Sequence, residues 1–151
     1  MARSSVILLV EDDPNDVLLV KMAFQKSLPG LLIMVVTNGH EAVQYLKGEG
    51  QYANRTAHPF PEFILLDLKM PLMNGFEVLR WIRAQPIIKR LPVIVFSSSL
   101  HDGDAARAYE EGANSFVSKP TDFGQLTQTM KNLGEFWLGA SKVPQASPDG
   151  G

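Results

Sequence analysis

Phe63-Ile-Leu-Leu-Asp67-Leu-Lys-Met-Pro-Leu-Met-Asn-Gly75 is an unbroken apolar run that stops on an acid and then breaks into a Pro- and Gly-punctuated loop. Continuous rather than alternating apolarity marks a strand covered on both faces, which is the habit of parallel sheets. Similar runs lie at Val6-Ile-Leu-Leu-Val10, Leu32-Ile-Met-Val-Val36 and Val93-Ile-Val-Phe96, with a weaker one at Ser115-Phe-Val-Ser118. Segments of helical spacing separate them. Val17, Val20, Ala23 and Phe24 share a face after Pro14; Phe76, Leu79 and Ile82 follow Asn74-Gly75; Phe123, Leu126, Met130, Leu133 and Trp137 form a last stripe behind a Thr121 or Asp122 cap. A strand-helix unit repeated about five times, closed by right-handed crossovers, predicts an α/β doubly wound sandwich. In such sheets, the polar site lies beyond the carboxyl ends of the strands.

The bulk properties agree with one soluble domain. The chain has 151 residues, 45% hydrophobic and 20% charged, with a formal charge of −2 and no basic cluster to attract nucleic acid. Cysteine is absent, which excludes a disulfide scaffold and thiolate chemistry. The apolar stretch Val6–Val10 is too short for a signal-peptide core or a membrane span, so a cytoplasmic location with no membrane association is expected. Residues 139–151, rich in Ser, Pro and Gly, are expected to form a disordered tail.

The strand ends carry the chemistry. The first run ends in Glu11-Asp12-Asp13, the third in Asp67, the fourth in Ser97-Ser98 and the fifth in Lys119-Pro120. Acids gathered on one sheet edge repel and raise each other's pKa unless a cation sits among them. Hard oxygen ligands suit Mg²⁺, placed by Asp12 and Asp67 with Glu11 acting through water or as an outer ligand. Asp67, between that metal and the Lys119 ammonium, is the natural nucleophile, and a carboxylate attacking phosphorus gives an aspartyl-phosphate. Ser97 is the hydroxyl available to a phosphoryl oxygen, and Lys119 the ammonium that stabilises its charge.

Val10-Glu-Asp-Asp13, Leu65-Leu-Asp-Leu-Lys-Met-Pro-Leu-Met-Asn-Gly75, Leu91-Pro-Val-Ile-Val-Phe-Ser97 and Gly112-Ala-Asn-Ser-Phe-Val-Ser-Lys-Pro120 resemble the signature blocks of response-regulator receiver domains. The intervals agree too, with 30 positions from Asp67 to Ser97 and 22 more to Lys119. The resemblance covers residues 5–138. It implies a flavodoxin-like (βα)5 sandwich with a five-stranded parallel sheet of order 2-1-3-4-5, and a phosphoacceptor switch rather than an enzyme. Asp67 would accept phosphate from a sensor histidine kinase or phosphotransfer protein, docked near Asn15 to Leu19 and the loop after Lys119. Asp12 and Glu11 would hold Mg²⁺ with Asp67 and the backbone carbonyl of Lys69. Ser97 and Phe116 would be the switch pair, and the bond before Pro120 would be cis to aim Lys119.

No output domain is expected. The signal would leave through the face of the fourth helix, fifth strand and fifth helix, toward a downstream protein or a second copy. The loop from Lys47 to Glu62 and the late Phe136-Trp137-Leu138 are similar to those of small receivers that partner phytochrome-type sensor kinases. The aromatic end of that last stripe is a candidate homodimer contact.

Departures from the pattern are the Glu-Asp acidic pair, the Phe116 that lacks a phenol, and Lys69 and Ser99 two positions after the phosphoacceptor and the switch hydroxyl. The latter two positions tune access of hydrolytic water in the family. A haloacid-dehalogenase-like phosphatase would need an acid where Lys69 stands and its nucleophile on the first strand. A pseudo-receiver would not keep all five polar residues, and a nucleotide-binding fold would need a Gly-rich loop after the first strand. His40, His58 and His101 are expected on the surface, and Phe116 could equally be plain core.

Overall fold

The computed structural model describes residues 5–99 and 101–144. Five strands, β1 (Val6–Val10), β2 (Leu32–Val36), β3 (Phe63–Leu66), β4 (Val93–Ser97) and β5 (Ser115–Ser118), alternate with five helices. These are α1 (Pro14–Ser27), α2 (Gly39–Lys47), α3 (Gly75–Ala84), α4 (Asp102–Glu110) and α5 (Phe123–Glu135). All neighbouring strands are parallel, in the order β2-β1-β3-β4-β5, the flavodoxin-like order. The three inner strands are buried along their whole length, and β2 and β5 form the edges.

Alternation along the inner strands divides the interior in two. Ile7, Leu9, Phe63, Leu65, Ile94 and Phe96 face α1 and α5, while Leu8, Val10, Ile64, Leu66, Val93 and Val95 face the other helices. Helix starts follow local chemistry. Asp13, Asn38, Asn74 and Asp122 each cap a helix with a side-chain oxygen, and Asn74 exchanges bonds with Glu77 in a capping box. Of the two candidate caps for the last helix, Asp122 takes the position.

Two half-buried arginines fasten loops. Arg83 donates to the carbonyls of Gly112, Lys89 and Leu91 and to Asn114 Oδ1 at 2.7–2.9 Å, tying α3 to the turns at either end of β4 and α4. Arg55 donates to Tyr45 O, Leu46 O and His58 O at 2.7–3.2 Å, occupying carbonyls at the end of α2. It thereby folds the α2–β3 segment, which contains a 3₁₀ turn at Gly50–Tyr52, back onto that helix.

Three sequence expectations need correction. His58 is half-buried rather than freely exposed: its ring packs edge-on against Tyr45 and Tyr52 and its Nδ1 is buried, where Arg55 holds its carbonyl. Gly139 and Ala140, expected in the tail, instead belong to a π-helical turn, Phe136–Ala140. Residues 141–144 follow without regular structure, and residues 145–151 lie outside the described residues. Finally, no cis peptide bond occurs among the described residues, so Lys119–Pro120 is trans. The trans isomer is favoured by about 0.5–1 kcal/mol for X-Pro bonds. Here it suffices, because Lys119 N–H extends the β4–β5 ladder by donating to Ser97 O at 2.9 Å and its side chain already points at the acids.

Candidate phosphoacceptor site

Register places the acids. Val10 of β1 pairs with Leu66 of β3, so the next residues, Glu11 and Asp67, emerge side by side. Their backbones stay on the ladder, with Glu11 N–H donating to Val36 O and Asp67 N–H to Val10 O, both at 3.0 Å. Both side chains are buried, Glu11 to 2% exposure and Asp67 to 7%. Asp12 points to solvent, yet it, Glu11 and Asp67 each bring a carboxylate oxygen within 4.8 Å of the others. Asp13 is used differently, accepting Asn15 N–H at 2.8 Å as the cap of α1.

Lys119 reaches this cluster from β5. Its Nζ lies 2.6 Å from Glu11, 2.8 Å from Asp16 and 3.7 Å from Asp67. Sequence reasoning did not identify Asp16 as a partner. The available signal was an acid in the first turn of α1, one turn beyond Asp12-Asp13, at the end of the helix that faces the strand termini. Ser97, fully buried at the end of β4, accepts Ser99 N–H at 3.1 Å. Phe116 is half-buried on β5 against the α2–α4 side of the core, and its N–H donates to the Tyr109 hydroxyl at 3.1 Å. Beside Asp67, an open cleft of about 440 Å³ is lined by Asp12, Lys69, Met70, Phe76, Asp104 and Arg107 among others. Leu72, at the tip of the loop after β3, is 77% exposed and holds a φ of 67°, the left-handed region that branched side chains avoid.

The electrostatics follow from burial. Desolvation pushes the Glu11 carboxyl up to about 7, with Lys119 pulling it back and the Asp67 charge adding to the rise. Burial likewise raises Asp67, against the Lys119 ammonium, a hydrogen bond with Glu11 and the backbone N–H groups of Lys69 and Leu68. Burial opposes the charge on Lys119, but its bonds to Asp16 and Glu11 and the field of Asp67 outweigh this, and the ammonium lies above its ordinary value. Three carboxylates in reach of one another, two of them reluctant to ionise together, make a donor set that fits a hard divalent cation.

This sets the sign of a pH effect without metal. Folded Glu11 keeps its proton to about 7, whereas the unfolded chain loses it near its ordinary value of 4.5. The native state therefore binds more protons across that window, and Asp67 acts in the same direction. In chelator, the melting temperature should fall as pH rises from about 5 to about 7.5, with a stability loss of up to about 3 kcal/mol. Glu11→Gln should flatten the slope, and saturating Mg²⁺ should restore stability at the alkaline end. A flat profile for the parent chain would refute the assignment.

Residues 7–131 match the family model of the response regulator receiver domain. Response regulator Rcp1 of Synechocystis sp. is 34% identical over 141 residues, covering 93% of this chain and 94% of that protein. The crystal structure of the phosphorylated cyanobacterial phytochrome response regulator RcpA superposes with a TM-score of 0.85 at 37% identity, over 94% of this chain and 99% of that one. The Mn²⁺-bound form of Rcp1 does so with a TM-score of 0.82 at 33% identity, over 93% and 99%.

Proposed function

Because the chain belongs to the response regulator receiver family of two-component signalling, we propose that it is a single-domain regulator that takes a phosphoryl group on Asp67. The observation that carries this reading is the ion-paired cluster itself: a buried carboxylate flanked by Glu11, Asp12 and an ammonium 3.7 Å away. The donor is the phosphohistidine of a sensor histidine kinase or phosphotransfer protein. Phytochrome-linked relatives favour a light-sensing kinase as its source.

An Asp67 oxygen attacks phosphorus as the bond to the donor imidazole nitrogen breaks, leaving the phosphoryl group as a mixed anhydride on the carboxylate. A divalent cation, Mg²⁺ in the cell, held by Glu11, Asp12, Asp67 and the Lys69 carbonyl, would neutralise charge on the phosphoryl oxygens. Lys119 supplies a second positive charge from the opposite side and orders the acids around it. Ser97 is drawn to a phosphoryl oxygen, Phe116 moves into the space behind it, and the α4-β5-α5 face changes for a downstream protein or a second copy. The kinase meets exposed Leu18 and Leu19 on α1 and the loop after Lys119.

The receiver unit runs from β1 through the helical turn that ends at Ala140. No helix among the described residues is long and apolar enough to cross a membrane, in keeping with a cytoplasmic role. Incubation with a phosphorylated histidine kinase, or with acetyl phosphate, should give an alkali-labile adduct that maps to Asp67 and needs Mg²⁺. An adduct elsewhere, or none from any donor, would sink the proposal.

A further inference from the structure

Helix α4 is the most loosely seated of the five, with Ala108 its one buried residue. Its position depends instead on polar ties. At the last turn, the Tyr109 hydroxyl accepts the Phe116 N–H at 3.1 Å, and Arg107 lies over the Phe76 ring at 4.0 Å. At the first turn, the N-cap residue His101 makes no side-chain capping bond. The Ser99 hydroxyl substitutes: it accepts the His101 N–H at 3.3 Å and donates to the Asp104 carboxylate. The Ser99 N–H in turn donates to Ser97 Oγ at 3.1 Å. A continuous chain of hydrogen bonds thus runs from the candidate switch hydroxyl to α4.

We propose that Asp104 is a positioning residue that, through the Ser99 hydroxyl, ties α4 to Ser97 and opposes the movement of Ser97 toward a phosphoryl group on Asp67. The inference rests on the phosphoacceptor reading above. Ser99 is 6% exposed, so its N–H has no ready access to water. If Ser97 moves alone, that N–H is left unpaired, a penalty larger than the net worth of an ordinary bond. If Ser99 follows, its hydroxyl must leave Asp104 and the His101 N–H. Only a shift of α4 itself preserves the chain, and α4 has little packing to hold it back. The tie therefore resists switching and, once overcome, carries it into the helix that bears Tyr109.

The test is beryllofluoride binding in Mg²⁺, followed by titration of the intact chain. Asp104→Ala and Ser99→Ala should each bind about tenfold tighter than the parent, the effect of releasing one charge-assisted bond. The double variant should bind no tighter than Ser99→Ala alone, because Asp104 acts only through the Ser99 hydroxyl. Asp104→Asn should behave as the parent, since its amide oxygen accepts the same hydroxyl. Parent-like or weaker binding by Asp104→Ala overturns the inference, as do additive effects in the double variant. So does Asp104→Asn binding as tightly as Asp104→Ala, which would assign the effect to a removed charge near the anion. A parent chain that binds no beryllofluoride would instead overturn the phosphoacceptor reading from which this one proceeds.

Discussion

Asp67→Asn should take up no phosphoryl group from any donor, and in chelator at neutral pH it should melt no lower than the parent chain. The first half follows from nucleophilicity: an amide oxygen does not attack phosphorus at a useful rate, and no other acid occupies the same place in the cluster. Glu11 is held by the Val36 ladder bond and by Lys119 at 2.6 Å, and Asp12 points outward. The second half is less obvious and more informative. Asparagine keeps the shape and an oxygen for the N–H groups of Leu68 and Lys69, while it removes a buried negative charge beside Glu11. Lys119 loses only its longest contact, at 3.7 Å, and retains Glu11 and Asp16. The net change should be a gain of up to about 1 kcal/mol, since relief of like-charge burial outweighs one stretched ion pair. Phosphotransfer followed by mass spectrometry checks the first effect and thermal melting the second. A variant that melts markedly below the parent would show that Asp67 is a structural ion-pair partner, not a strained functional group.

Gly75→Ala should be strongly destabilising. A Cβ at this position would lie 2.3 Å from the Asp67 carbonyl oxygen and 2.8 Å from Leu68 Cα, both backbone atoms. Flexible side-chain ends can give way, but a strand terminus cannot. Gly75 N–H also donates to Leu68 O at 3.0 Å, closing the loop that begins at Asp67. The glycine is needed for space rather than for a special φ. Overpacking against a fixed backbone should cost about 3 kcal/mol, or about 10 °C of melting temperature in a domain of this size. It should also displace Asp67 enough to weaken Mg²⁺ binding. Gly103→Ala in α4, where a Cβ meets nothing within 4 Å, is the control and should be neutral or slightly stabilising. Equal melting temperatures for Gly75→Ala and Gly103→Ala would contradict the close approach.

These two residues show why so much was readable from sequence. A parallel sheet gathers the carboxyl ends of its strands, so apolar runs that end on Glu11, Asp67, Ser97 and Lys119 already place those residues at one edge. The inner strands declare themselves because both faces are covered. Helices α2 and α4 do not, for opposite reasons. In α2 the inward residues include Gly39 and Ala42, which carry little hydrophobic signal, and α4 has almost no buried stripe. The partners that depend on side-chain reach were equally hidden. Asp16 meets Lys119 across 103 positions, and Ser99 meets Asp104 in the first turn of α4 through its hydroxyl. The cis expectation for Pro120 failed on the same point, since the Lys119 side chain spans the gap from a trans backbone.

The Arg55 fastening has a consequence for how such a chain can diversify. Its three carbonyl partners belong to the end of α2 and to its own loop, and Tyr45 and Tyr52 close the same segment through Pro59 O and Glu41. None of these bonds reaches Glu11, Asp67 or Lys119. The segment is therefore a self-anchored module whose tip can lengthen, shorten or change charge without disturbing the acid–lysine cluster. Changes in that loop and the geometry of the acidic strand edge are structurally independent.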